Sequence, residues 1–294
     1  MTSEIIRLRV DRDFSLMPWL LPKPIRADVS ALSRFVRLAQ TVAASPLSSR
    51  AERQARLAAL LAALDQPGQG GIALEAALAP GDAATIDDLR ASLSRRGISA
   101  EYARTILQTL RRTTAPTAPA PGDMAAGNAT WADVVAHCRG VAAPVGRHML
   151  DLCGEDAATC GPPGDALCIA MRILKELRDG NAAHGPWLCI PTSFMRDASI
   201  SPGHLAAPTA RGQTRAVLDR VLDGVDALLV EASPLPSLVK GRRLRLYVSV
   251  VLCRARKLAA RFRLRDPLQE TVGLSRWQRH GCLLLSILNA GGRA

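Results

Sequence analysis

Ten cationic side chains and no acidic one lie between Lys240 and Arg265. Arg242, Arg243, Arg245, Arg254, Arg256 and Lys257 interleave with Leu244, Leu246, Val248, Val250, Leu252 and Leu258, so a helix through 240–265 is cationic on one side and apolar on the other. Guanidinium and ammonium groups in such an array pair with phosphate oxygens, whether of a lipid headgroup, a nucleic acid or a soluble ligand. The expectation for 240–265 is contact with an anionic membrane surface. Nucleic acid is disfavoured, because aromatic residues make up only 3% of the chain, too few for stacking, and no recognition motif is present. The whole chain shares the bias: 38 Lys and Arg against 26 Asp and Glu give a formal charge of +12.

Other reactive side chains are dispersed. No GxGxxG, P-loop, HExxH or GxSxG occurs. The five histidines, His137, His148, His184, His204 and His280, have no metal-ligand spacing. His137 and Cys138 are neighbours, but adjacent helical residues point about 100° apart, so a structural role is expected for them. Seven cysteines without a CxxC pair read as reduced, buried thiols of a cytoplasmic protein. The N-terminal stretch lacks the apolar core of a signal peptide, and the longest uncharged apolar run, 281–292, is too short to span a bilayer. A cytoplasmic protein, peripheral to the inner face of the membrane, is the resulting expectation.

The elements that must position these groups are helices. Apolar residues recur at spacings of three and four over 26–43, and Ala/Leu-rich periodicity resumes over 50–64. Further helices are expected at 82–96, 99–112, 131–152, 164–182, 213–231, 237–262 and 275–288, with Gly97 as a C-cap. The Pro- and Gly-rich stretch at about 113–129 reads as a surface loop inside one helical domain. No strand alternation persists beyond a few residues, so the fold class is all-α.

Three stretches carry a resemblance. Asp13-Phe14, Leu20-Leu21-Pro22-Lys23 and Arg26 open the chain. Cys138-Arg139-Gly140-Val141-Ala142-Ala143-Pro144-Val145-Gly146-Arg147 follows, with Leu150-Asp151-Leu152-Cys153-Gly154-Glu155 behind it. Ala166-Leu167-Cys168-Ile169-Ala170-Met171-Arg172-Ile173-Leu174 then leads to Asp179 and Ile190-Pro191. In this order they resemble the squalene/phytoene synthase family, and the runs 45–64 and 216–236 look most like its bacterial hydroxysqualene synthase branch. The resemblance implies a single isoprenoid-synthase-type helical bundle over 1–294, around a central apolar cavity. It implies a prenyl diphosphate ligand, presqualene diphosphate in this branch, with water capturing a carbocation on the way to squalene and hopanoids. It also implies Mg²⁺, held by two Asp-rich segments and neutralising the leaving diphosphate.

The chain departs from that pattern at the metal segments. The first, of the form DDxxD, falls on Gln40-Thr41-Val42-Ala43-Ala44, which has no carboxylate. The second falls on Asp179-Gly180-Asn181-Ala182-Ala183, where Asp179 alone remains, with Glu176 one turn earlier as a further oxygen donor. Two carboxylates cannot hold a cluster of hard divalent ions. The family's Gln and Asn before the second segment are Arg172 and Lys175, the Tyr before its Cys is His137, and its early Tyr is Ser33. Through the resemblance, Arg26, Arg37, Arg147, Arg172 and Lys175 become the residues to hold a diphosphate, with Asp179 and Glu176 left for any metal. Two functions follow: a hydroxysqualene synthase-like protein handling presqualene diphosphate, or an inactive member that binds a prenyl diphosphate or scaffolds an active partner synthase.

Overall fold

The computed structural model describes residues 17–45, 47–65, 78, 81–114, 129–179, 189–201, 211–267, 270 and 272–291. Among them the chain is helical, without a strand. Two 3₁₀ turns, Pro18–Leu20 and Lys23–Ile25, lead into α1 (Arg26–Ala44), α2 (Arg50–Asp65), α3 (Asp82–Arg96) and α4 (Glu101–Thr113). These four helices share one apolar core in which Leu32, Phe35, Leu57, Leu60, Leu89 and Ile106 are fully buried. Asp28, buried on α1, ties α1 to α3 by accepting from Ser92 at 2.8 Å and from Arg95 and Arg96 at 2.7 Å each. Gly97 ends α3 at φ 63°, in the left-handed region where glycine carries no side-chain penalty, as expected of a C-cap.

A second core gathers around α6. α5 (Trp131–Leu152) begins at a capping box, Thr130 and Asp133 each accepting from the other's backbone N–H. α6 (Ala157–Asp179) buries Ile169, Ala170, Ile173, Leu174 and Leu177 against α8 (Arg211–Glu231) and α10 (Arg242–Leu264). α7 (Thr192–Asp197), α9 (Leu235–Leu238) and α11 (Arg276–Gly291) complete the series. α5 belongs to both cores, with Val141 in the first and Cys138 in the second. Close packing of α5 on α6 needs Gly146, because a Cβ there would lie 2.6 Å from Cys168 Sγ.

Two boundaries differ from the sequence expectation. α6 starts at Ala157 rather than 164, because Asp156 caps it through the Ala158 N–H and the Thr159 hydroxyl, and the helix runs through Pro162 and Pro163. The expected helix 237–262 breaks at 239–241, where Glu155 accepts from the backbone N–H groups of Lys240 and Gly241, both at 2.8 Å. Residues 115–128 of the expected loop lie outside the described residues. The apolar side of 240–265 faces inward: Leu244, Val248, Val250, Leu252 and Leu258 are buried, so α10 presents cations and not an apolar face to its surroundings. No helix among the described residues is long and apolar enough to cross a membrane.

Candidate functional site

The C-terminal two turns of α6 carry Arg172, Lys175, Glu176, Arg178 and Asp179. Spacing of i to i+4 pairs Arg172 with Glu176 and Lys175 with Asp179, and Arg178 reaches its chain neighbour Asp179. Arg172 Nε donates to Glu176 Oε1 at 2.6 Å, Lys175 pairs with Asp179, and Arg178 Nη2 donates to Asp179 Oδ1 at 2.8 Å. Three cations against two anions leave this stretch positive. The Arg172 and Glu176 side chains are largely buried, at 19% and 18% exposure.

α5 supplies the opposite wall. His137 is 8% exposed, and its Nε2 has no hydrogen-bond partner among the described residues. Burial pushes its pKa below the usual imidazole value, Glu176 pulls it back up and Arg172 adds to the depression. Cys138 and Cys189 are fully buried beside the same pair, and burial raises both thiols. The result is a buried patch between α5 and α6 with a neutral imidazole, two thiols held in the protonated form and a paired guanidinium. Sequence reading assigned His137 a structural role; its register opposite Arg172 exists only once α5 and α6 pack.

The other candidate cations sit elsewhere. Arg147 grips Asp165 and donates Nη1 to the Ala157 carbonyl at 3.2 Å. Room for that guanidinium exists because residue 161 is glycine: a Cβ there would lie 2.2 Å from Nη1. Tyr102 of α4 joins this patch through Asp151, and burial together with that carboxylate pushes the phenol up to about 12. Arg172 lies seven residues beyond Asp165 on α6, about 10 Å along the helix. Arg26 spends its guanidinium on the carbonyls of Leu21 and Trp19, at 3.1 and 2.8 Å. Arg37 is exposed on α1. Of the five candidate diphosphate ligands, then, Arg172 and Lys175 lie together on α6, Arg147 is paired with Asp165, Arg26 is bonded to backbone carbonyls and Arg37 is exposed on α1.

The described residues do not fit a magnesium cluster. The last turn of α1, 40–44, offers only an amide and a hydroxyl, and Val42 is buried in the first core. Glu176 and Asp179 already accept from cations, and no group of three or more His, Cys, Asp or Glu among the described residues could hold a metal.

Residues 8–278 match the family described as squalene/phytoene synthase. The chain belongs to that family. Three relatives named hydroxysqualene synthase are similar to it. That of Sinorhizobium fredii is 31% identical, with 90% of this chain and 84% of the relative covered. That of Rhodopseudomonas palustris is 27% identical, with 90% and 84% covered. That of Zymomonas mobilis is 24% identical, with 96% and 88% covered. Among solved structures, a dehydrosqualene synthase in complex with ligand superposes with a TM-score of 0.71 at 16% identity, covering 96% of this chain and 93% of that one. The squalene synthase HpnC of Alicyclobacillus acidocaldarius gives 0.55 at 20% identity, covering 84% and 97%. The expected all-α family fold therefore stands. The end of α1, on which the sequence resemblance places the family's first metal segment, carries no carboxylate, and the residues after Asp179 lie outside the described residues.

Proposed function

We propose that the protein is hydroxysqualene synthase-like and handles presqualene diphosphate in the supply of squalene and hopanoid precursors. The observation that carries this reading is the 31% identity to a hydroxysqualene synthase over 90% of the chain. The diphosphate would lie against the end of α6. Its oxygens accept from Arg172 and Lys175, taking the place of the Glu176 and Asp179 carboxylates. When the carbon–oxygen bond to the diphosphate ionises, the electron pair leaves with the diphosphate and those cations meet its charge. Water then adds to the carbocation and gives one proton to the neutral His137 imidazole, so the products are the alcohol, diphosphate and a proton.

A second reading has its own observation. The carboxylate-free 40–44 segment and the paired Glu176 and Asp179 suit a member that binds a prenyl diphosphate without turnover, as a partner of an active synthase. Purified protein incubated with presqualene diphosphate, in Mg²⁺ and in EDTA, separates the two. Hydroxysqualene detected by mass spectrometry in both buffers supports the first reading with a cationic cradle. No product in either buffer, with calorimetric binding retained, supports the second. Product that requires Mg²⁺ overturns the metal-free mechanism.

A further inference from the structure

α11 is docked on α10 by one side and bare on the other. Cys282 and Ser286 are buried, Leu283 packs on the second core, and Gln278 accepts from Arg261 of α10 at 3.3 Å. On the opposite side Trp277 is 85% exposed, Leu288 70%, Leu284 61%, Leu285 49% and Ile287 47%. Helical spacing puts Trp277, Leu284, Leu285 and Leu288 within one apolar stripe, with Ile287 beside it. A contiguous set of large apolar side chains on one helix marks a contact surface, unlike the single exposed residues found on any protein.

We propose that this face of α11 docks on a bilayer surface rich in anionic lipids, Trp277 and the leucines entering the interface while flanking cations meet the headgroups. Charge selects that occupant. Neither α10 nor α11 contains an Asp or Glu, and Arg276 is exposed beside the stripe on α11, with Arg256 exposed on α10. An apolar stripe bordered by cations is the pattern of a helix lying in a membrane interface. A second copy fits worse: a two-fold pairing would bring these cationic borders together, and five side chains fall short of the roughly 800 Å² per partner in a standard interface. The surface is distinct from the one expected at 240–265, whose apolar residues are core.

The test is sedimentation of the full chain with vesicles of phosphatidylcholine alone or with one-third phosphatidylglycerol, comparing wild type with Leu284→Glu/Leu288→Glu and Leu284→Ser/Leu288→Ser. The expected result is binding to the anionic vesicles, weakened at least about tenfold in both variants and weakened by raising salt from about 0.1 to about 0.5 M. Circular dichroism melting reports that the variants are folded, as solvent-facing changes should leave them. Absence of wild-type binding, or equal binding by folded variants, overturns the proposal. So does a wild-type dimer in analytical ultracentrifugation that both variants abolish, when the wild type itself does not sediment with vesicles.

Discussion

Arg147 meets Asp165 edge-on, with Nε and Nη2 at 2.8 and 2.9 Å from its two carboxylate oxygens. This two-point grip joins α5 to α6 and is shielded from water, the side chains being 29% and 17% exposed. Loss of one partner strands the other, so Arg147→Met should destabilise by about 1–3 kcal/mol. Arg147→Lys should recover only part, since an ammonium cannot reproduce the fork. Thermal melts of Arg147→Met, Asp165→Asn and the double variant check this: a coupling above about 1 kcal/mol identifies a structural joint. Additive losses, with a raised KM in Arg147→Met, would instead make Arg147 a ligand of the substrate.

Asp28 gives the fold an acid-sensitive point. Burial pushes its carboxyl up, but hydrogen bonds from Arg95, Ser92 and Arg96 prevail and hold it below the usual carboxylate range. A depressed folded pKa contributes stability that is present above the unfolded value of about 3.9 and is lost as pH falls through the lower folded value. Asp28→Asn should therefore lower stability at neutral pH by about 1–3 kcal/mol and flatten the loss between pH about 4 and the folded pKa. Urea titrations of both proteins across pH about 2 to 7 provide the check; parallel curves would remove Asp28 from the acid response.

The fold was legible because Ala, Leu and Arg at helical spacing leave few alternatives, and Gly97 and the 131–152 start carry their own capping signals. What sequence missed had two causes. The 239–241 break is made by Glu155, more than eighty residues away, whereas the start of α6 is capped locally by Asp156 and was hidden by the Pro and Gly residues that follow it. At the candidate site, the family resemblance marks Arg172, Lys175 and Asp179, and helical spacing adds Glu176 one turn before Asp179. His137 is not among them, because its meaning comes from the packing of α5 on α6, and the pairing of Arg147 with Asp165 likewise emerges only in the fold.

His137 should titrate late. Its folded pKa is depressed, mainly by burial, so the imidazole stays neutral below the ordinary value of about 6.5. The unfolded chain then binds more protons on acidification, and stability should fall as pH drops from about 6.5 to the folded pKa. His137→Phe should remove that part of the slope. In a turnover assay, it should also abolish the acid limb and lower kcat by about a hundredfold, with KM unchanged. An unaltered pH profile in the folded variant would exclude His137 as the proton acceptor.

Glu176 restrains Arg172, and that restraint makes an unusual sign prediction. In the unliganded protein the guanidinium is already satisfied, with Glu176 Oε1 at 2.6 Å from Nε. A diphosphate must displace that carboxylate, so removing its charge should help binding. Glu176→Gln should tighten inorganic pyrophosphate by about threefold to tenfold, while Arg172→Gln should weaken it by at least about tenfold. Were Glu176 a metal ligand, the substitution would weaken binding, and only with Mg²⁺ present. Isothermal titration of wild type and both variants with pyrophosphate, in Mg²⁺ and in EDTA, decides between these signs. Equal affinities in the two buffers and a gain in Glu176→Gln establish direct recognition by cations; a Mg²⁺-dependent loss in Glu176→Gln returns the carboxylate to the metal.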